Sequence, residues 1–172
     1  AKYEAVLGDD DVKVTTKMDM GFGGGLRYLS SSKGFFTSGY EFTMDTQKLK
    51  DSSLKVNQYF INYVPMIRVP LWVYFPSLSD YTSIYIAMPV GLGIDSVDYL
   101  DSGKKNTSKG FGFNLEFMGG LRIGFSESVS FFTDYRYRPR TMNGIIRSEA
   151  GDLSVIERFK DHKISFGISL AP

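Results

Sequence analysis

His162, the chain's one histidine, stands in "KDHKIS" with Asp161 beside it and Ser165 three residues on. A nucleophilic site needs a hydroxyl, a base to take its proton and a group to orient the base. A strand backbone sends positions 162 and 165 to opposite faces, so these residues cannot meet in a regular strand. His162 therefore reads as a structural or surface histidine. Five acids, Asp19, Glu41, Asp45, Glu116 and Asp134, could be paired as proton donor and acceptor. They are interspersed with Arg27, Arg122, Arg136 and Arg138, and that company points to a structural polar network of ion pairs instead. With no cysteine there is neither a disulfide framework nor a thiolate metal site. "DDD" at 9–11 lacks the spacing of a calcium loop, and "GFGGG" at 21–25 opens no helix that could hold a phosphate. The expectation is a protein without catalytic, metal or cofactor-binding residues.

The elements that must carry the ionic residues share one pattern. In "GFGFNLEFMGGLRIGFSESVSFFTDYRYR" (110–138), Phe111, Phe113, Leu115, Phe117, Leu121, Ile123 and Phe125 alternate with Asn114, Glu116, Met118, Gly120 and Arg122. After Ser-Glu-Ser, Val129, Phe131, Tyr135 and Tyr137 alternate with Ser130, Asp134, Arg136 and Arg138. Period two is the strand signature. It returns at 17–30, 34–46, 57–73, 83–95 and 163–170, and Lys2–Leu7 adds a short first strand, eight in all. No stretch shows sustained helical periodicity. Pro65, Pro70 and Pro89 fall inside these runs, where a missing amide donor calls for a bulge or a rim position.

The connections predicted between strands alternate in length. Ser31–Lys33, Pro76–Asp80 and Ser126–Ser128 are short, whereas 8–16, 47–55, 96–109 and 143–158 are long and polar. Lysines are expected in loops and at strand ends, and strand interiors hold arginine with acids and small residues. Lipid on the aromatic face and a closed ionic interior on the other satisfy both patterns. The fold class expected is all-β, a single eight-stranded antiparallel up-and-down transmembrane β-barrel spanning 1–172 as one domain. A chain of 172 residues suits one domain, and a formal charge of +1 gives no case for nucleic acid. No apolar run is long enough for a membrane helix, which does not weigh against membrane strands. The chain opens on Ala1, as one released from a signal peptide would. Two alternatives share the pattern: a soluble lipocalin-like ligand-binding barrel, and an outer-membrane channel for small solutes.

"NQYFINYVPMIR" (57–68), "SIYIAMPVGLGI" (83–94), "GFGFNLEFMGGLRIGFSESVSFFTDYRY" (110–137) and "KISFGISL" (163–170) carry a likeness to a known family. On these motifs the chain resembles the small eight-stranded outer-membrane barrels of Gram-negative bacteria, the OmpX, Ail and opacity-protein group. It departs from the group in ending Leu170-Ala171-Pro172 where an aromatic residue is usual. The resemblance implies a monomer in the bacterial outer membrane, with membrane lipid and lipopolysaccharide as partners. Its function would then be structural or adhesive. Loops 96–109 and 143–158, the first rich in Tyr, Asp and Lys, are the expected contacts with a host or surface ligand.

Overall fold

The computed structural model describes residues 2–7, 12–17, 21–31, 35–48, 55–78, 81–101, 104–148 and 151–172. Among them the protein is all-β, with one turn of 3-10 helix at Leu71–Val73 and no α-helix. The first seven strands are β1 (Lys2–Leu7), β2 (Val12–Lys17), β3 (Gly21–Leu29), β4 (Phe36–Thr37), β5 (Gly39–Lys48), β6 (Lys55–Tyr63) and β7 (Met66–Pro70). After the 3-10 turn come β8 (Ser83–Ala87), β9 (Val90–Asp101), β10 (Lys104–Leu115), β11 (Phe117–Gly124), β12 (Val129–Ser148) and β13 (Gly151–Leu170).

All of these strands belong to one sheet, and its pairings return to their start. From β13 the hydrogen-bonded neighbours run β3, β5, β6, β9, β10, β12 and back to β13. Toward the short turns, β4, β7, β8 and β11 carry the same ladder on. Every pairing is antiparallel except β13 with β3. The exception follows from the length of β1, whose ladder with β13 ends at Lys2–Lys160. Beyond that rung β3 takes the place beside β13, and two strands separated by the whole circuit can run parallel without a dedicated crossover.

Four neighbouring runs break on one line: at Ser38, Val64–Pro65, Met88–Pro89 and Glu116. No residue is inserted at the prolines. Tyr63 faces Val90 on one side of the line and Met66 faces Ala87 on the other, in the same count. Pro65 and Pro89 therefore remove rungs without bulging the sheet. The line is bridged by Gly39 N–H to Val64 O (3.2 Å), Met88 N–H to Pro65 O (3.3 Å) and Glu116 N–H to Pro89 O (2.9 Å). Pro70 ends β7, a rim position, and Pro139 stands within β12 opposite Lys160.

The alternation read from sequence sorts onto the two faces. Phe22, Tyr40, Phe42, Ile61, Ile86, Leu92, Phe113 and Phe166 are exposed, while Arg27, Glu41, Gln58, Asn62, Asn114, Glu116 and Arg136 are buried within. At the short-turn end Leu29, Val64, Met66, Tyr85, Met118 and Ala171 form an apolar layer across the interior.

Three expectations about connections are corrected. Segments 96–109 and 143–158 are not loops: Lys104–Lys109 pairs with Ser96–Asp101, and Asn143–Ser148 pairs with Gly151–Ile156. Their polar composition suggested loops, but an antiparallel hairpin satisfies its backbone whatever its side chains face. Val97, Ser108 and Val155 even point into the interior. Likewise Val12–Thr16 is strand, paired with Tyr3–Leu7. The run expected to reach residue 73 stops at Pro70, after which the chain turns through Leu71–Val73. Of the turns, Ser126–Ser128 forms as expected, closed by Phe125 N–H to Val129 O at 3.0 Å. Residues 32–33 and 79–80 of the other two, and 49–54 of the 47–55 connection, lie outside the described residues.

Candidate functional site

The ionic residues meet at mid-height of the closed sheet because β3, β5, β12 and β13 each turn the face that carries their charged residues inward. Arg27 donates Nε to Glu41 Oε2 at 2.8 Å and Nη2 to Asp134 Oδ2 at 2.9 Å. Tyr85 completes this corner, donating to Asp134 Oδ2 at 2.9 Å and accepting from Arg27 Nη1 at 3.1 Å. Arg136 joins three acids, reaching Glu41 Oε2 (2.9 Å), Glu116 Oε2 (2.9 Å) and Asp134 Oδ2 (3.1 Å). Arg138 forks onto Asp161, with Nε to Oδ1 at 3.1 Å and Nη2 to Oδ2 at 2.9 Å, and it also binds Asp45. Arg140 shares Asp161 at 3.0 Å, and Lys163 pairs with Asp45. Asn114 steadies Glu116, donating Nδ2 to Oε1 at 2.9 Å.

Every side chain in these ion pairs is at most 1% exposed. Five cations (Arg27, Arg136, Arg138, Arg140, Lys163) face five carboxylates (Glu41, Asp45, Glu116, Asp134, Asp161), so the layer is neutral as a whole. Buried charges persist only when paired and hydrogen-bonded in this way. The guanidiniums also rest on aromatic rings: Arg27 lies 4.0 Å from the Phe132 centroid, Arg140 4.4 Å from Phe159 and Arg138 5.0 Å from Phe60. A flat, weakly hydrated guanidinium can take this packing, and an ammonium cannot use it as well.

The structure brings together seven of the nine residues expected in the network: Arg27, Glu41, Asp45, Glu116, Asp134, Arg136 and Arg138. Arg122 lies nearer the turn, where its Nε bonds Ser130 Oγ. Asp134 is held by Arg27, Arg136 and Tyr85 instead. Asp19 lies outside the described residues. Reading by sequence missed Tyr85, Arg140, Asp161 and Lys163. Lys163, expected at a strand end, is fully buried within β13. Its parity with Asp161 was the available signal.

His162 and Ser165 take opposite faces, as the strand period requires. Ser165 is buried inside, while His162 bonds Tyr135 through Nδ1 (2.5 Å) and lies against Tyr137 on the outer face. Among the described residues no group of three or more His, Cys, Asp or Glu is disposed to hold a metal. Chemically, the network can fill and brace the interior; its carboxylates are committed to cations. No family model, curated protein or solved structure matches this chain.

Proposed function

We propose that this protein is a non-enzymatic, eight-stranded transmembrane β-barrel of a bacterial outer membrane, its lumen plugged by its own side chains. The observation that carries the reading is an inversion of the usual order. Large aromatic and aliphatic side chains on every run around the circuit are exposed, from Phe22 at 61% to Phe113 at 58%, while the ion pairs are hidden. Soluble monomers rarely expose apolar patches beyond a few hundred Å². A hydrocarbon surround turns that liability into the stabilising term. The pairing of β12 with β13 closes the circuit, as a sheet surrounded by lipid requires. The circuit itself passes through seven strands, and β1 joins it beside β13 at one end only, so the eighth strand of the proposal is β1.

A lipocalin-like barrel would place the aromatic face inside, and that face is outside here. A solute channel is disfavoured by the apolar layer around Met66 and Met118 and the packed ion pairs above it. Function then falls to structural support of the membrane and to surface contacts. The latter would be made by the outer hairpins β9–β10 and β12–β13, in place of the loops first expected. The test is extraction of the expressed chain. It should need detergent and migrate faster on a gel unheated than boiled; a chain recovered in buffer alone, with one mobility, overturns the reading.

A further inference from the structure

We infer that the closed sheet binds a calcium ion in its interior, between Asp95 of β9 and Glu157 of β13 and beyond the ionic layer. The site lies inside the sheet, so it does not depend on what surrounds the outer face.

The wall at this level carries no side chain on two neighbouring strands. Gly110 of β10 and Gly144 of β12 stand in register, and both are buried. Acids from the flanking strands lean over the bare backbone. Asp95 is the register partner of Gly110 on its other side, and Glu157 stands opposite Met142, two residues from Gly144. A Cβ built on Gly110 would lie 2.2 Å from Asp95 Oδ1 and 3.1 Å from Glu157 Oε2. The two carboxylates therefore converge on one spot, which a side chain at position 110 would close. Ser108 brings a neutral oxygen alongside. Its Oγ and Glu157 Cδ lie 3.1 and 3.5 Å from the Cβ position of Gly144.

Asp95 is 0% exposed, and no described side chain donates a hydrogen bond to either of its oxygens. The balance of five cations and five carboxylates in the ionic layer is complete without it. Arg140 acts on Asp95 through space, but its Nη1 is held by Asp161 at 3.0 Å, and its Nε and Nη2 reach no acceptor. A buried carboxylate persists as an anion only beside a positive partner. A cation from outside the chain, shared with Glu157, supplies it. Two carboxylates and a hydroxyl are hard oxygen donors, which suit calcium or magnesium rather than softer metals. Magnesium demands near-ideal octahedral geometry and gives up its water reluctantly, whereas calcium accepts bidentate carboxylates in irregular cages. A buried site with two acids therefore fits calcium.

The test uses the full chain folded in a neutral detergent, which brings no anionic headgroup to compete for the ion. Equilibrium dialysis should find one calcium bound per chain. Calcium should also raise the urea unfolding midpoint above its value in chelator, because an ion bound only by the folded state stabilises it. Asp95→Asn keeps the shape and removes the charge. It should lower calcium affinity by at least about tenfold, since ligand charge sets the affinity of such sites. In chelator it should unfold at a higher midpoint than the parent; a packing role for Asp95 alone predicts the reverse. Glu157→Gln gives the same comparison if the first variant does not fold. An equal calcium response of parent and Asp95→Asn would place the ion elsewhere and overturn the site. A folded parent indifferent to calcium would overturn it too, and a gain of stability on acidification would then show that the two acids share a proton instead.

Discussion

Glu116 stands one step beyond the Phe117–Tyr137 rung, directly across from Arg138, yet its closer partner is Arg136, at 2.9 Å against 3.7 Å. Direct opposition sets which groups can meet, and competition decides which do. Arg138 is drawn away by its fork onto Asp161 and by Asp45, leaving Glu116 to the diagonal arginine.

That arrangement predicts a non-additive pair of substitutions. Glu116→Ala strands a positive charge in the layer and should cost about 3–5 kcal/mol. Adding Arg138→Met restores the balance, because Asp161 keeps Arg140 and Asp45 keeps Lys163. The double variant should lose less than the sum of the two single losses in urea unfolding from lipid vesicles. A loss equal to or above the sum would mean that charge balance does not govern the layer.

Two adjacent glycines should respond in opposite ways. A Cβ on Gly23 would fall on Asp45 Oδ1 and lie 2.9 Å from the Met44 carbonyl oxygen. Gly24 faces outward, and its added Cβ would meet only the Phe166 carbonyl oxygen, at 3.8 Å. Gly23→Ala should therefore destabilise by about 1–3 kcal/mol, as overpacking does. Gly24→Ala should be neutral or stabilise by about 0.5–1 kcal/mol by removing glycine's excess unfolded-state freedom. Matched unfolding curves for the two variants would show that the interior at Asp45 yields more easily than its contacts indicate.

The alternation exposed most of this fold to reading because each strand meets two unlike surroundings. Phe36 to Met44, Tyr59 to Ile67 and Ile84 to Ile94 all took the faces their parity assigned. Legibility failed where that contrast fades. Beyond Ser96 and Asn143 polar residues occupy much of both faces, so nothing in 96–109 or 143–158 announces a strand that its hairpin partner nevertheless holds. Lys163 was missed for a different reason: lysine is usually solvated, and its ion pair with Asp45, distant in sequence, makes its burial tolerable. The Arg–acid composition showed that a network exists, but partner choice depends on register between strands over a hundred residues apart, as in Lys163 with Asp45.

Those outer hairpins should show a gradient of amide protection. Val97 is flanked by Val56 and Ser108, and Lys109 by Ser96 and Ile145, so these positions sit within the wider sheet. Past Asp98–Thr107 and Ile146–Leu153 the described ladders include only the two strands of each hairpin. Isolated two-stranded ribbons are marginal in water. Hydrogen exchange should therefore be slow at Val97, Lys109 and Ile145, and faster by orders of magnitude at Leu100, Lys105 and Arg147. Uniformly fast exchange from 96 to 109 would restore that segment to a loop.

The membrane reading makes its sharpest prediction at Phe117. This side chain is 48% exposed on the outer face, within an apolar groove that it shares with Ile67, Ile86, Tyr135 and Tyr137. In water, arginine on an exposed strand face would cost little, because its charge stays hydrated. In a bilayer the same charge must be dragged into hydrocarbon, at about 2–4 kcal/mol near the midplane of a barrel's lipid face. Thr107 is also exposed, but it lies on the outer extension of β10, clear of the apolar belt, where arginine should be silent. Phe117→Arg should thus lower folding stability in phosphatidylcholine vesicles by several kcal/mol relative to Thr107→Arg, as read from urea titrations of each variant. Equal stability of the two variants would leave the exposed aromatic face without its lipid.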